Sequence, residues 1–261
     1  MRILLAATAL LFVSQAHGQA VVTADEDLSS TRPEAWAMNY VAASTLMTSF
    51  GATPVLAPGQ WRLGLDLGHV PRLDEDQQTV GFIGSKREDL NKSPVFGRIR
   101  AALGLPGGFV VDVGYTPPVM IEGARPRELF AVAFGRRVYE RDAFNVSMRA
   151  FGQHGRGHAD ITCPAHLARA PLEENPYGCQ EASNDRIILN YYGIDATAAW
   201  SARPWHAYAT AGYTRTDLEV QVDALTFEVR DRSRLTARGS WPFLAIGASR
   251  DVDKHWNVAL E

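Results

Sequence analysis

Residues Tyr191 to Tyr213 read YYGIDATAAWSARPWHAYATAGY. Aromatic rings stand at both ends and beside the centre, and mostly small residues fill the runs between. Side chains of an extended strand alternate between two faces, so the stretch sorts as a β-hairpin with its turn near Ser201-Ala202-Arg203-Pro204. That register sets Trp200 opposite Trp205, Ala198 opposite Ala207, Ala196 opposite Ala209, Ile194 opposite Ala211 and Tyr192 opposite Tyr213. All of these share one uncharged face. The other face carries Tyr191, Asp195, Thr197, His206, Tyr208 and Thr210. A sheet in water gains nothing from aromatic end pairs. A sheet crossing a bilayer does, because amphipathic rings prefer the headgroup level.

The same rhythm recurs after Gly59. QWRLGLDLGHV places Trp61, Leu63, Leu65 and Leu67 on one face and Arg62, Gly64, Asp66 and Gly68 on the other. VFGRIRAALGLPGGFVVDVGYT is a second hairpin, with Val95, Ile99, Leu103, Phe109, Val113 and Tyr115 on its outer face. Those outer positions are odd-numbered on both arms, so the turn must hold an odd number of residues. Pro106-Gly107-Gly108 supplies three, with glycines that tolerate the left-handed backbone. ELFAVAFGRRVYERDAFNVSMRAFGQ passes the same check with a turn at Glu140-Arg141-Asp142, pairing Val138 with Phe144, Phe134 with Met148 and Val132 with Ala150. A last pair, WPFLAIGASRDVDKHWNVALE, turns near Asp251 to Lys254. Longer polar stretches separate the hairpins, and LEVQVDALTFEVR reads as an outside extension rather than two further spans.

The rest of the composition narrows the class. The chain has 261 residues and no apolar run near ~18 residues beyond its extreme N-terminus, which excludes helical membrane spans. A net charge of −3 and a pI near 6.2 argue against nucleic acid as a partner. MRILLAATALLFVSQAHGQA reads as a secretory signal over residues 1–18, with Arg2 in its basic start and a small-residue cleavage site. Cys163 and Cys179, the only cysteines, most simply form one disulfide in an exported chain.

Alternating strands, aromatic ends, and short turns exchanging with long loops resemble the transmembrane β-barrels of bacterial outer membranes, over residues 59–261. The resemblance is to the class as a whole. It implies an all-β, antiparallel up-and-down transmembrane barrel in the outer membrane of a Gram-negative-type bacterium. Its partners are then membrane lipid, the barrel-assembly machinery and a small solute. The girdle consists of Trp61, Phe109, Tyr115, Phe144, Tyr192, Trp200, Trp205, Tyr213 and Trp256. About nine spans are visible where single-chain bacterial barrels are even-numbered, and HWNVALE stops in mid-strand. A chain of 10–12 strands, truncated at its C-terminus, is the expectation.

Residues 19–58 form a separate N-terminal segment. Thr31-Arg32-Pro33-Glu34 fits a capping box, and Trp36, Tyr40, Ala43 and Met47 fall on one helical face. The segment reads either as a plug in the lumen or as a helix on the rim.

Inward charges are expected at Asp66, Arg98, Arg100, Asp112, Arg149 and Asp195, with Arg100 diagonal to Asp112. They form either a selective constriction or a salt-bridged filling. His154, His158 and Asp160 read as a solvated loop tip rather than a zinc or acid–base site, because two glycines break any helix there. GSKREDLNKSP reads as a solvated loop of mixed charge. The expected function is a pore or transporter for a small solute. The alternatives are a structural or surface-interaction barrel and an outer-membrane barrel hydrolase. No catalytic residue, cofactor or metal is assigned, and the chain is not expected to be an enzyme.

Overall fold

A computed structural model describes residues 20–261, so the signal over 1–18 lies outside the described residues. The chain is mostly β, with a few short helices. Strands β1 (Ala20–Val22) and β2 (Asp25–Leu28) precede helix α1 (Pro33–Ala43) and strand β3 (Trp61–His69). The next connection carries α2 (Glu75–Gln78), β4 (Thr79–Val80), α3 (Gly81–Gly84) and β5 (Lys86–Arg87). Then follow β6 (Val95–Gly104), β7 (Phe109–Thr116), β8 (Arg125–Arg141), β9 (Phe144–Ala159), β10 (Asp185–Ala202) and β11 (Trp205–Gln221). A small hairpin, β12 (Ala224–Thr226) and β13 (Val229–Asp231), leads to β14 (Arg234–Asp251) and β15 (Asn257–Leu260).

Nine of these strands form an antiparallel meander in the order β3-β6-β7-β8-β9-β10-β11-β14-β15. Its turns alternate, short at one end and long at the other. The sheet curls: Phe96, Leu129, Ile187, Leu218 and Ala237, from five different strands, pack on or beside one cluster around Ala35, Met38 and Ala42 of α1. Among the described residues the curl is not closed by a ladder between β3 and β15. The far edge of β14 holds β2, in parallel, along Arg234–Ala237 and β15 along Ala248–Asp251, leaving residues 238–247 without a partner there.

The hairpin that opens the sequence reading differs in register. Its turn is two residues, Arg203-Pro204, so Trp200 faces Ala207, Ile194 faces Tyr213 and Tyr192 faces Arg215. A shift of two residues leaves every side chain on its own face, so the face assignment stands while the direct Trp–Trp and Tyr–Tyr pairs do not. The β8–β9 hairpin also turns on two residues, Asp142-Ala143, with Phe134 facing Ala150. A bulge at Val138 supplies the odd residue that the parity of its faces requires. The Pro106-Gly107-Gly108 hairpin has the expected register, with Leu103 on Val111 and Arg100 on Gly114.

Helix α1 departs from its expected form. Its N-cap is Arg32, without a side-chain cap bond. Thr31 bonds Ser29, and the Glu34 carboxylate is drawn to Arg32 instead. The buried face is Ala35, Met38 and Ala42, because small side chains let the helix approach the strands closely. Trp36 stacks on Tyr40 at 5.9 Å and stays exposed. Met47 lies past the helix end and is buried.

Polarity inverts along the long strands. In the half near the short turns, outward side chains are apolar and exposed: Leu244 is 84% exposed, Leu65 66% and Ile194 61%. Their inward neighbours are buried polar groups such as Asp195, Thr197 and Thr210. In the half near the long loops the order is conventional. Leu129, Leu189 and Leu218 are buried inside, while Arg215, Asp217 and Arg238 face out. The Cys163–Cys179 disulfide, with Cα atoms 5.6 Å apart, ties the β9–β10 connection and packs against Val222 and Ala224.

Candidate functional site

The interior of the short-turn half is built on three arginines. Arg98 and Arg100 project inward from β6, and Arg149 from β9. The inner face leaves them room through glycine: a Cβ on Gly114 would lie 2.5 Å from the Arg98 side chain, and one on Gly135 2.6 Å from Arg149. Arg100 pairs with Asp66 of β3 at 3.1 Å and with Asp112 of β7. Arg149 pairs with Asp195 of β10 at 2.5 Å. Arg98, 2% exposed, has no carboxylate partner among the described residues and donates to Gln153 Oε1 at 2.8 Å. All six residues expected to line the lumen therefore sit on the concave face, and five of them join two ion-paired groups.

The chain leaving α1 occupies the space between them. Arg98 and Tyr191 donate to the Thr45 carbonyl at 2.7 and 2.8 Å. Arg149 reaches the Met47 carbonyl, and Arg149 and Arg100 both reach that of Thr48. Ser49 Oγ stands 3.0 Å from the hydroxyls of both Thr197 and Thr210. Ser147 accepts from the Thr53 amide, and the segment leaves the interior where Gly59 and Gln60 bond Gly104. Charged hydrogen bonds to buried carbonyls are among the stronger polar contacts, ~1.5–3 kcal/mol each. Between them, residues 45–53 are held from several sides.

Two cavities lie at the ends of this filled interior and share no lining residue. One of about 580 Å³, near the short turns, is polar and bordered by Arg62, Arg137, Asn145 and Arg203. Here His206 bridges Ser201 and Asp251: Nδ1 is 2.9 Å from Ser201 Oγ, and Nε2 is 3.0 Å from Asp251 Oδ2. Asn257 donates to the other oxygen of Asp251. The second cavity, about 400 Å³, lies near the long loops between α1, the β4–β5 connection and strands β10, β11 and β14. Its wall is mainly apolar.

The chain matches no family model, no curated protein and no solved structure.

The aromatic residues of the expected girdle lie on the convex face. Trp61, Tyr192, Trp200, Trp205, Tyr213 and Trp256 are exposed, while Phe109, Tyr115 and Phe144 are half-buried beside other rings. Phe109 stacks on Phe134 at 4.8 Å, and Tyr115 meets Phe130 at 5.0 Å.

Two loop expectations are corrected. His154 and His158 lie on strand β9 rather than on a loop tip, since that strand runs to Ala159. His158 contacts Asn184, while Asp160 is buried against Lys92 at 2.9 Å. The mixed-charge loop is packed rather than solvated: Lys86 and Lys92 are buried, on Glu88 at 2.9 Å and on Asp89 and Asp160. Among the described residues no group of three or more His, Cys, Asp or Glu is placed to hold a metal ion. Sequence reasoning missed the carbonyl contacts of residues 45–48, the bonds of Tyr191 and Gln153, and the Ser201-His206-Asp251 chain. Only Tyr191 carried a signal, as a large ring on the polar face.

Proposed function

We propose that this is an outer-membrane β-barrel protein that crosses the bilayer with its short-turn half and is plugged by residues 44–58. In this reading it binds a small solute and passes it when the plug moves. The observation that carries the proposal is the inside-out polarity of the short-turn half, apolar and exposed outside, charged and buried inside. From Trp205 to Tyr213 the outward positions of β11 are uncharged, and Arg215 and Asp217 follow. Eight residue steps at ~3.3 Å give ~26 Å along the strand. Tilted by ~40°, that is ~20 Å of height, beside the ~25 Å apolar band of such barrels. Hydrocarbon tolerates no open strand edge, so the reading requires the free edges of β3 and β14 to be covered in the membrane.

The test is insertion and conductance. The purified protein is expected in vesicles, resistant to carbonate extraction, with little conductance across planar bilayers. Deleting residues 44–54 is expected to open steady channels. A chain that stays in buffer as a monodisperse globule defeats the membrane reading. One that inserts and conducts in neither form is a surface-interaction barrel.

A second reading, a barrel hydrolase, is favoured by one geometry, the Ser201-His206-Asp251 chain. With Nε2–H donated to Asp251, Nδ1 is free to take the Ser201 proton as Oγ attacks an acyl carbonyl. The leaving alcohol then takes that proton from the imidazolium, and water releases the acyl group by the same route. A fluorophosphonate is expected to label Ser201 and to lose that labelling in His206→Ala. No labelling of inserted protein removes this reading.

A further inference from the structure

The cavity at the long-loop end is too large to be a packing defect, since protein interiors carry few voids larger than a water molecule. At about 400 Å³ it falls within the range of small-molecule sites. Its strand side is apolar: Ile187, Val220 and Leu235 face Met38 and Val41 of α1. Its opposite wall is α3, where Phe82 and Ile83 hold left-handed backbone at φ 47° and 61°. Such a conformation is an outlier for a β-branched residue, and strain of this kind persists only where the surroundings impose it. Two acids pack against this turn. Glu34 accepts the Ile83 amide at 2.7 Å, and the Glu88 carboxylate fills the space beside Gly81 that any Cβ would need. Both apolar side chains of α3 remain exposed at this edge of the cavity.

The charges on the wall are unequal. Glu26, Glu34, Glu88, Asp185 and Asp231 line it, against the single guanidinium of Arg32. Lys86, paired with Glu88, stands behind. An anionic head brought here meets like charge, whereas a neutral or cationic one does not.

The geometry points to a binding site for a single-chain or small aromatic amphiphile with a neutral or cationic head. Its hydrocarbon lies along Met38, Val41, Ile187, Val220 and Leu235, with the head toward Glu34 and Glu88. This deepens the solute-binding reading and rests on it.

The experiment uses the full chain in nanodiscs, with N-phenyl-1-naphthylamine as the fluorescent probe and empty discs as background. Saturable binding is expected, with displacement by decylamine and decanol at concentrations roughly tenfold below those needed for decanoate, as charge complementarity requires. Leu235→Trp, which fills the apolar side, is expected to abolish saturation. Should that variant fail to fold, Val41→Phe serves the same purpose. Glu34→Gln is expected to narrow the preference for decylamine over decanoate while probe binding persists. Inserted protein without a saturable site, decanoate competing equally with decylamine, or unchanged binding in a folded cavity-filled variant each overturns the inference. A chain that does not enter the discs fails the membrane reading instead.

Discussion

The two halves of strand β10 follow opposite rules. From Asp185 to Leu189 its buried side chains include Ile187 and Leu189, packed with α1 as in any water-soluble domain. From Tyr191 to Ala202 its buried groups include Asp195 and Thr197, and its exposed ones are Tyr192, Ile194, Ala196, Trp200 and Ala202. The backbone is the same and the ladder is continuous. The difference teaches that one strand can carry two opposite polarities, and that the change lies near Tyr192. Hydrogen bonding holds both halves. Apolar packing on α1 dominates the half near the long loops, whereas ion pairs and carbonyl contacts join a smaller cluster of Met47, Ala131, Ala133, Phe151 and Tyr191 in filling the other.

The largest expected effect comes from breaking the charged interior. Asp195→Ala leaves Arg149 buried and unpaired, which is expected to destabilise the fold by about 3–5 kcal/mol in reversible urea unfolding in vesicles. The double variant Arg149→Met, Asp195→Leu is expected to recover most of that loss. Next is a charge on the outward face. Ile194→Arg is expected to cost about 2–4 kcal/mol at membrane depth. Ile188→Arg, six residues along the same face, is expected to stay within about 0.5 kcal/mol, as for an ordinary surface change. Equal effects at the two sites would erase the distinction between the halves. Serine at both Cys163 and Cys179 is expected to weaken the β9–β10 connection by about 2–3 kcal/mol. Limited trypsinolysis would then cut the loop while the short-turn half stays protected.

The smallest effect is a pH dependence confined to the long-loop half. Burial pushes the Glu88 carboxyl up to about 7, against the pull of Lys86 and with Asp185 and Glu34 adding to the rise. Its folded value is thus above the ordinary 4.5. The stability it contributes is complete below about pH 4.5 and declines as pH rises through about 7. Hydrogen exchange across residues 81–90 is expected to quicken from pH 5 to pH 8, and Glu88→Gln is expected to flatten that trend.

Faces were legible throughout the hairpins, whereas register was legible only at Pro106-Gly107-Gly108. Alternation has a period of two, so an error of two residues at Arg203-Pro204 leaves Ala196 and Thr197 on their own sides. Turn length has no such protection, and the bulge at Val138 leaves no compositional mark. The interior charges were legible for the same reason as the faces, and the Arg100–Asp112 contact followed from a local hairpin. The filling of the interior was not, because its acceptors are the carbonyls of Thr45, Met47 and Thr48, which any residue supplies. Helix α1 misled through its large rings, Trp36 and Tyr40, whereas packing chose its alanines. Ser201, His206 and Asp251 lie on three strands, β10, β11 and β14, and meet only in registers that the sequence did not yield.

The parallel pairing of β2 with β14 joins Asp25 to Arg234 across a separation of 209 residues. A polypeptide delivered from its N-terminal side thus keeps β2 unfastened until β14 has emerged. Contacts so distant in sequence form slowly. Among the described residues no ladder closes the sheet, so the curl is free to wrap around chain already in place before its last strands pair, as a sleeve is sewn around a drawstring.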